Sequence, residues 1–374
     1  MPLPLYQNDC KMPQRKDLYA HSGLWFDRFF GEYSSTFHKV NESRTEWLSN
    51  FKEAGHKEQL ELHAHRLCNL AQSLQGSYRV FKTKSNFVTG MGNPHPVENG
   101  FTWHPTLAVP YIPGSAVKGL VRTVVETSYS GEDKLDILTS WFGSENKDDV
   151  AERSGGFIFF DAIPVQPLRL GVEIMTPHMG KWYQNGAEPR HTHESIPSDW
   201  HEPIPIPYLV ARETAFIFCI APRSLDSVKY MDDVMDALIH GLKYLGMGAK
   251  TSIGSGLMFV DTQLTVTFTE KQEAHVHEVM KQAELASLSP EQQRIVYWKN
   301  KLNAIKLMLR ANTPEFGVFM RELANQVQEA LDWPLATRND LADLIKNAEK
   351  DNKFQVTDNK RKEYKALISK LRGS

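Results

Sequence analysis

Three stretches of this chain carry residue types that can hold phosphates or bases. The first is Gly246-Met-Gly-Ala-Lys-Thr-Ser-Ile-Gly-Ser-Gly256. Four glycines in eleven residues let a backbone approach a ligand closely and adopt positive φ. Lys250, Thr251 and Ser252 stand between them, a cation and two hydroxyls for a phosphate. A P-loop needs glycine directly before Lys-Thr, and here that residue is Ala249. P-loop and dinucleotide glycine runs also follow a strand and open a helix, whereas this one is placed to follow a helix and open a strand. A flexible turn joining helix to strand has the same composition.

The second stretch is Ile112-Pro-Gly-Ser-Ala-Val-Lys-Gly-Leu-Val-Arg122. Pro113 and Gly114 shape a turn, and Ser115 is placed to cap the helix that follows. Lys118 and Arg122, four apart, project from one face. A helix N-terminus offers N–H groups and positive potential to a phosphate. An ordinary capped helix with a solvated basic edge has the same pattern. The third stretch, Ile174-Met-Thr-Pro-His-Met-Gly-Lys-Trp-Tyr183, joins a cation, Lys181, to two stacking surfaces, Trp182 and Tyr183. That pairing suits single-stranded RNA, although the two aromatics equally suit anchoring a loop to a sheet. His178 is a general-base candidate by type, but a histidine at a strand end more often serves structure. His191, His193 and His201 share a loop without a cysteine and lack a four-ligand zinc pattern, so neither metal nor cofactor is expected.

The elements that must position these residues can be read from periodicity. Residues 77–268 alternate between strand and helix signals. Ser77–Val88, Gly155–Ile163, Leu168–Thr176, Tyr208–Ile220 and Leu257–Phe268 read as strands. Behind Ser115, Val117, Leu120, Val121 and Val124 share an apolar face, and Leu225–Leu245 reads as an amphipathic helix. Gly180–Pro207 is polar and proline-rich, a long loop or projecting hairpin. The order β-α-β-β-α-β predicts an α+β fold with a ferredoxin-like, RRM-type sheet and insertions. Residues 1–76 read as helical, with Trp47, Phe51 and Ala54, then Leu60, His63, Leu67 and Leu70, at helical spacing. Residues 269–374 read as a helical extension that opens one helix at Pro290. Its stripe Trp298, Leu302, Ile305 and Leu309 needs a partner, either the N-terminal helices or an adjoining protein.

Composition narrows the function classes. A net charge of −2 with histidine neutral argues against a free-standing nucleic-acid binder. A subunit that shares its RNA with neighbours needs only one positive stretch of groove. No apolar run approaches the ~20 residues of a membrane span. Cys10, Cys68 and Cys219 are odd in number and far apart, which predicts no disulfide framework and a cytoplasmic location. Asp161 stands alone on its strand, so the clustered carboxylates of a metal-dependent nuclease are missing.

Ile112-Pro-Gly-Ser-Ala-Val-Lys-Gly119 resembles the helix-opening motif of RAMP proteins, and Gly246–Gly256 resembles their C-terminal glycine-rich loop. Met175-Thr-Pro-His178 with Lys181-Trp-Tyr183, and Gly90-Met-Gly-Asn-Pro94, look like one branch, the sixth RAMP-type subunit of type III-B CRISPR (Cmr) complexes. The resemblance covers roughly residues 77–268. It implies a non-catalytic subunit that binds guide RNA (crRNA) and caps the complex backbone near the guide 3′ end, in antiviral defence against invader RNA. It implies guide and target RNA, the repeated RAMP backbone subunit and a neighbouring 3′-end RAMP subunit as partners, and no membrane. Carried over, Ser115, Lys118 and Arg122 match the RNA-facing first helix. Gly246, Gly248, Lys250 and Thr251 match the loop on the guide backbone, and Lys181–Tyr183 lie near a thumb-like projection. The alternative is a RAMP endoribonuclease that processes CRISPR RNA with a histidine general base; His178, His104 and Tyr183 are its candidates.

Overall fold

The computed structural model describes residues 20–31, 44–144, 154–185, 196–197, 201–304, 309–310, 314–350, 354–355 and 358–373. They form two compact units, one through Gln272 and one from Glu273. Sequence patterning divides the chain at residues 76 and 268; the apolar core runs across the first of these boundaries. Phe26, Leu60, Ala64 and Cys68 belong to the same buried cluster as Phe81 and Phe218.

The sheet of the first unit follows the expected element order. Strand β1 (Ser77–Thr83) is followed by helices α2 (Gly114–Ser128) and α3 (Lys134–Phe142), which come after helix α1 (Lys57–Ser73) in the chain. Next come β2 (Phe157–Phe159), β3 (Ile163–Pro164), β4 (Leu168–Met175), α4 (Gly180–Asn185), β5 (Ile206–Arg212), β6 (Ala215–Pro222), α5 (Met231–Tyr244) and β7 (Met258–Val260). In space the strands lie β7-β1-β6-β2, all antiparallel neighbours, with β3 also on β6. This is the β-α-β-β-α-β sheet, with β4 and β5 inserted as a separate antiparallel ribbon.

All eight residues of β6 are buried. Successive strand side chains point to opposite faces, so both faces of the sheet are covered. Helices α2 and α5 pack together over one face, close enough that a Cβ on Gly241 would stand 2.8 Å from Leu120 Cγ. Helix α1 covers the other, with its Cys68 thiol hydrogen-bonded to Cys219 of β6. On that face His65 stacks on Phe268, whose ring also meets Tyr78.

Four sequence readings are corrected. Tyr208–Ile220 is two strands, not one: the chain turns at Glu213, where φ is 48°, and the two strands enter different sheets. Its turn, Arg212-Glu-Thr214, lacks the glycine, proline or asparagine that usually marks one. Leu257–Phe268 is strand only to Val260, because Asp261 caps a helix. Its carboxylate accepts the Leu264 N–H at 2.9 Å, and Thr262–Ser287 forms α6 despite its strand-like threonines. Gly155–Ile163 is interrupted at Phe160–Ala162, between β2 and β3. Leu225–Leu245 breaks after Val228 and resumes at Met231.

The second unit contains α7 (Pro290–Ala304), α8 (Pro314–Glu329), α9 (Leu335–Lys350) and α10 (Asp358–Arg372). Trp298 and Leu302 are buried with Phe316, Leu323, Ile345 and Tyr364 in a core of this unit's own. That corrects both partners expected for the stripe, since an isolated sequence cannot show four separated helices closing on each other. Ile305 lies outside the described residues, as does the Leu309 side chain. Among the described residues no helix is long and apolar enough to cross a membrane.

Candidate nucleic-acid interface

Strand directions bring the motifs to one end of the sheet. β6 and β7 run antiparallel to β1, and β2 runs antiparallel to β6. The chain therefore leaves β1 and β2, and enters β6 and β7, at the same end. Helix α2 starts there: a Cβ on Gly114 would overlap the Phe159 carbonyl at the end of β2. Helix α5 ends there and delivers the glycine loop.

That loop is pinned, not loose. Ala249 N–H donates to the Val88 carbonyl at 2.8 Å, Met247 N–H to Gly256 at 3.0 Å, and Gly256 N–H to Asn86 at 2.9 Å. The Ser85 hydroxyl donates to the Gly254 carbonyl at 2.6 Å. Two glycines are required by this closure. Gly248 has φ +95° and Gly256 φ +72°, and a Cβ on either would overlap a carbonyl oxygen, of Val88 or of Met247. At the tip Thr251–Ile253 form a single 3₁₀ turn, which leaves Ser252 exposed and Ile253 73% exposed. Lys250 itself has φ 60°, and its ammonium lies 5.1 Å from the centre of the Tyr208 ring. Among the described residues no carboxylate pairs with it.

Tyr208 ties the loop to the ribbon. Its hydroxyl donates to Glu173 at 2.9 Å, and Asn86 donates to the other oxygen of the same carboxylate. Burial, then the bond to Glu173, pushes the Tyr208 phenol up to about 12. It stays a protonated donor at neutral pH, so both Glu173 oxygens are engaged, one by Tyr208 and one by Asn86. Glu173 and Tyr208 sit opposite each other in β4 and β5, a cross-strand pair that sequence reading missed because alternation reveals a face but not a partner.

The helix end is built differently. Ser115 is exposed in the first turn and does not cap α2. The cap is the Asp161 carboxylate, which accepts the Gly114 N–H at 2.6 Å. Asp161 lies in the break between β2 and β3, and no local pattern links it to a residue 47 positions away. Lys118 donates to the Phe142 carbonyl at 2.8 Å, closing the end of α3. Arg122 pairs with Glu126 at 2.6 Å along the same helix. Lys181, Trp182 and Tyr183 are on α4, beyond the end of β4. Tyr183 is 71% exposed, with its ring 5.0 Å from that of Trp182.

Beside the start of α2 is a group that sequence reading did not assemble. The His104 ring lies 5.4 Å from His63 and 5.2 Å from Tyr111. His104 Nδ1 accepts the Leu107 and Thr106 N–H groups at 3.2 and 3.3 Å, so the neutral ring carries its proton on Nε2. Burial holds both histidines below the usual value, with the Asp161 charge opposing it. Burial, then Asp161, pushes the Tyr111 phenol up. No hydrogen bond or ring contact joins this group to His178 or Tyr183 among the described residues. His201 is buried, and His191 and His193 lie outside the described residues. Among the described residues no three side chains form a metal-holding group.

Residues 80–259 match the family model of the RAMP superfamily. The match begins within β1 and ends within β7, so it takes in all or part of every strand of the five-stranded sheet. The chain is 27% identical over 242 residues to the CRISPR system Cmr subunit Cmr6 of Pyrococcus furiosus, covering 50% of this chain and 69% of that protein. It is 28% identical over 163 residues to Cmr6 of Saccharolobus solfataricus, covering 43% of this chain and about half, 48%, of that protein. A cryo-EM structure of type III-B Cmr-beta bound to cognate target RNA aligns at 21% identity over 59% of this chain and 71% of that one, with a TM-score of 0.43. The crystal structure of Cmr6 from Pyrococcus furiosus aligns at 24% identity over 50% of this chain and 97% of that one, with a TM-score of 0.29. With its glycine loop and most of its α+β sheet inside the matched residues, the stretch 80–259 of this chain matches the RAMP superfamily, and the chain is similar to the Cmr6 proteins.

Proposed function

We propose that the chain is a guide-RNA-binding and assembly subunit of a type III-B CRISPR Cmr effector complex. It caps the complex backbone near the guide 3′ end, acts in the cytoplasm against invader RNA, and does not cut RNA itself. The observation that carries this reading is the pinned glycine loop, which presents Lys250, Thr251 and Ser252 from a fixed backbone inside a RAMP domain. Phosphates track along the loop and past Ser115 at the start of α2, and bases stack on Trp182 and Tyr183 beside Lys181. Phosphate contacts position a strand without reading sequence, which is what a subunit serving many guides needs. Its partners are guide and target RNA, the repeated RAMP backbone subunit and the neighbouring 3′-end RAMP subunit.

The test is binding of the purified chain to guide RNAs of unrelated sequence across a salt titration. Similar affinities are expected, with a slope that loses about one unit in Lys250→Ala. A slope unchanged by that substitution would place the RNA elsewhere. One observation favours the alternative of a processing endoribonuclease, the His63–His104–Tyr111 group beside Asp161. Incubation with repeat RNA, with and without magnesium, separates the two. Cleavage that disappears in His104→Ala would establish the enzyme.

A further inference from the structure

A cavity of about 510 Å³ opens between α2, α3 and α5, on the helical side of the sheet. Three carboxylates line it, Asp133, Asp233 and Asp236, together with the rings of Tyr129, Trp141 and Tyr230 and the imidazole of His240, against which the three acids keep a carboxylate excess. Trp141 and Tyr230 lie 6.3 Å apart at a tilt, and the Tyr129 hydroxyl donates to Asp133 at 2.6 Å. Neither of the two lysines that border these residues in sequence lines the cavity. Lys134 donates to the Glu126 carbonyl, and Lys229 rests 4.7 Å from the Tyr230 ring centre without lining the cavity. The Trp141 indole N–H, in a residue only 5% exposed, has no hydrogen-bond partner among the described residues.

This lining selects one chemistry. Grouped carboxylates repel phosphate, so the cavity does not continue the RNA surface. Carboxylates beside aromatic faces suit a cation, and a guanidinium in particular, whose planar fork binds carboxylate oxygens while its face stacks on a ring. The volume falls within the roughly 300–1,000 Å³ of binding pockets and exceeds what a metal ion fills. Arginine is among the residues enriched as energetic anchors of protein interfaces.

We propose that this cavity receives an arginine-bearing loop of an adjoining protein subunit. The identity of that subunit rests on the reading of the chain as part of a Cmr assembly; the cation preference of the cavity does not.

The first experiment titrates the full chain with the peptide acetyl-Gly-Arg-Gly-amide and with its citrulline counterpart, which keeps shape and loses charge. The readout is the Trp141 indole N–H resonance, assigned with Trp141→Phe. The arginine peptide should shift it, with the citrulline peptide at least tenfold weaker. The near-isosteric pair Asp233→Asn and Asp236→Asn should weaken arginine binding about tenfold. No response, or equal responses to both peptides, overturns the proposal. The second experiment reconstitutes the Cmr complex with Asp233→Arg and Asp236→Arg together. Incorporation should fall at least tenfold while guide-RNA affinity of the chain is kept. If the reversed chain fails to fold, the asparagine pair takes its place with a severalfold loss expected. Normal incorporation of the variants, with spermidine shifting the indole as strongly as the arginine peptide, would identify a free polyamine and overturn the docking claim. If wild-type chain neither assembles nor binds guide RNA, the subunit reading fails, and the arginine–citrulline comparison still decides the cavity.

Discussion

The glycine loop and the start of α2 stand at the same end of one sheet, and both carry cations expected to meet phosphate. They differ in what their polar groups already do. In the loop the backbone closes on itself and on Asn86–Val88, so the side chains of Lys250, Thr251 and Ser252 are left at the surface or over Tyr208. In the helix the side chains do the closing: Asp161 takes Gly114, Lys118 takes Phe142, and Arg122 takes Glu126. A motif whose shape is held by main chain keeps its side chains for a ligand. A motif held by side chains spends them on stability.

The sharpest break of this contrast is a methyl group. Gly256→Ala puts a Cβ onto the Met247 carbonyl at positive φ, and should cost on the order of 3 kcal/mol, read as a fall of roughly ten degrees in Tm. Ser115→Ala, at an exposed position, should stay within about 0.5 kcal/mol. Equal effects would mean the loop is not closed as described.

Next is the cap. Asp161→Ala should destabilise by about 1 kcal/mol in chemical denaturation and leave guide-RNA affinity unchanged. A loss of affinity without a loss of stability would make the Asp161 carboxylate itself part of the RNA surface.

Acid should act on the same end. His63 and His104 have folded-state values below the ordinary 6.5, so the unfolded chain takes up protons first as pH falls through that value. The stability present above about pH 6.5 is then lost below it, by on the order of 1 kcal/mol between pH 7.5 and 5.5 for the buried His104 and the partly buried His63. Hydrogen exchange should quicken around Gly114 and not around Ala249, and His104→Gln should flatten the trend. A pH-independent Tm, or exchange that quickens at both sites, would break the contrast.

The smallest effects sharpen it. Lys250→Ala should alter stability by no more than about 0.5 kcal/mol while reducing the salt slope of RNA binding by about one unit. Arg122→Ala removes a partly exposed pair along one helix, worth a few tenths of a kcal/mol, and should leave the salt slope intact.

Much of this architecture was legible in the sequence. The β-α-β-β-α-β order, the helix behind Pro113 and the glycine loop after an amphipathic helix all follow from period and punctuation. What was illegible depends on residues far apart in the chain. Asp161 as the cap of Gly114, Glu173 beneath Tyr208, and His63 beside His104 each join positions that no local period relates. In the sequence, His63 marks only one step of a helical face. The turn at Glu213 and the cap at Asp261 were hidden for the opposite reason: their local signals imitate a continuing strand.

The packing of α1 on β6 also fixes an order of events during synthesis. Cys68 leaves the ribosome about 150 residues before Cys219, the residue it must face. At roughly 5–20 residues per second, the apolar side of α1 waits about 8–30 s for the strand that covers it. During that interval Leu60, Ala64 and Cys68 have no sheet to rest on. The apolar side of α1 is therefore made long before its cover, and it is enclosed only once translation has passed Pro222.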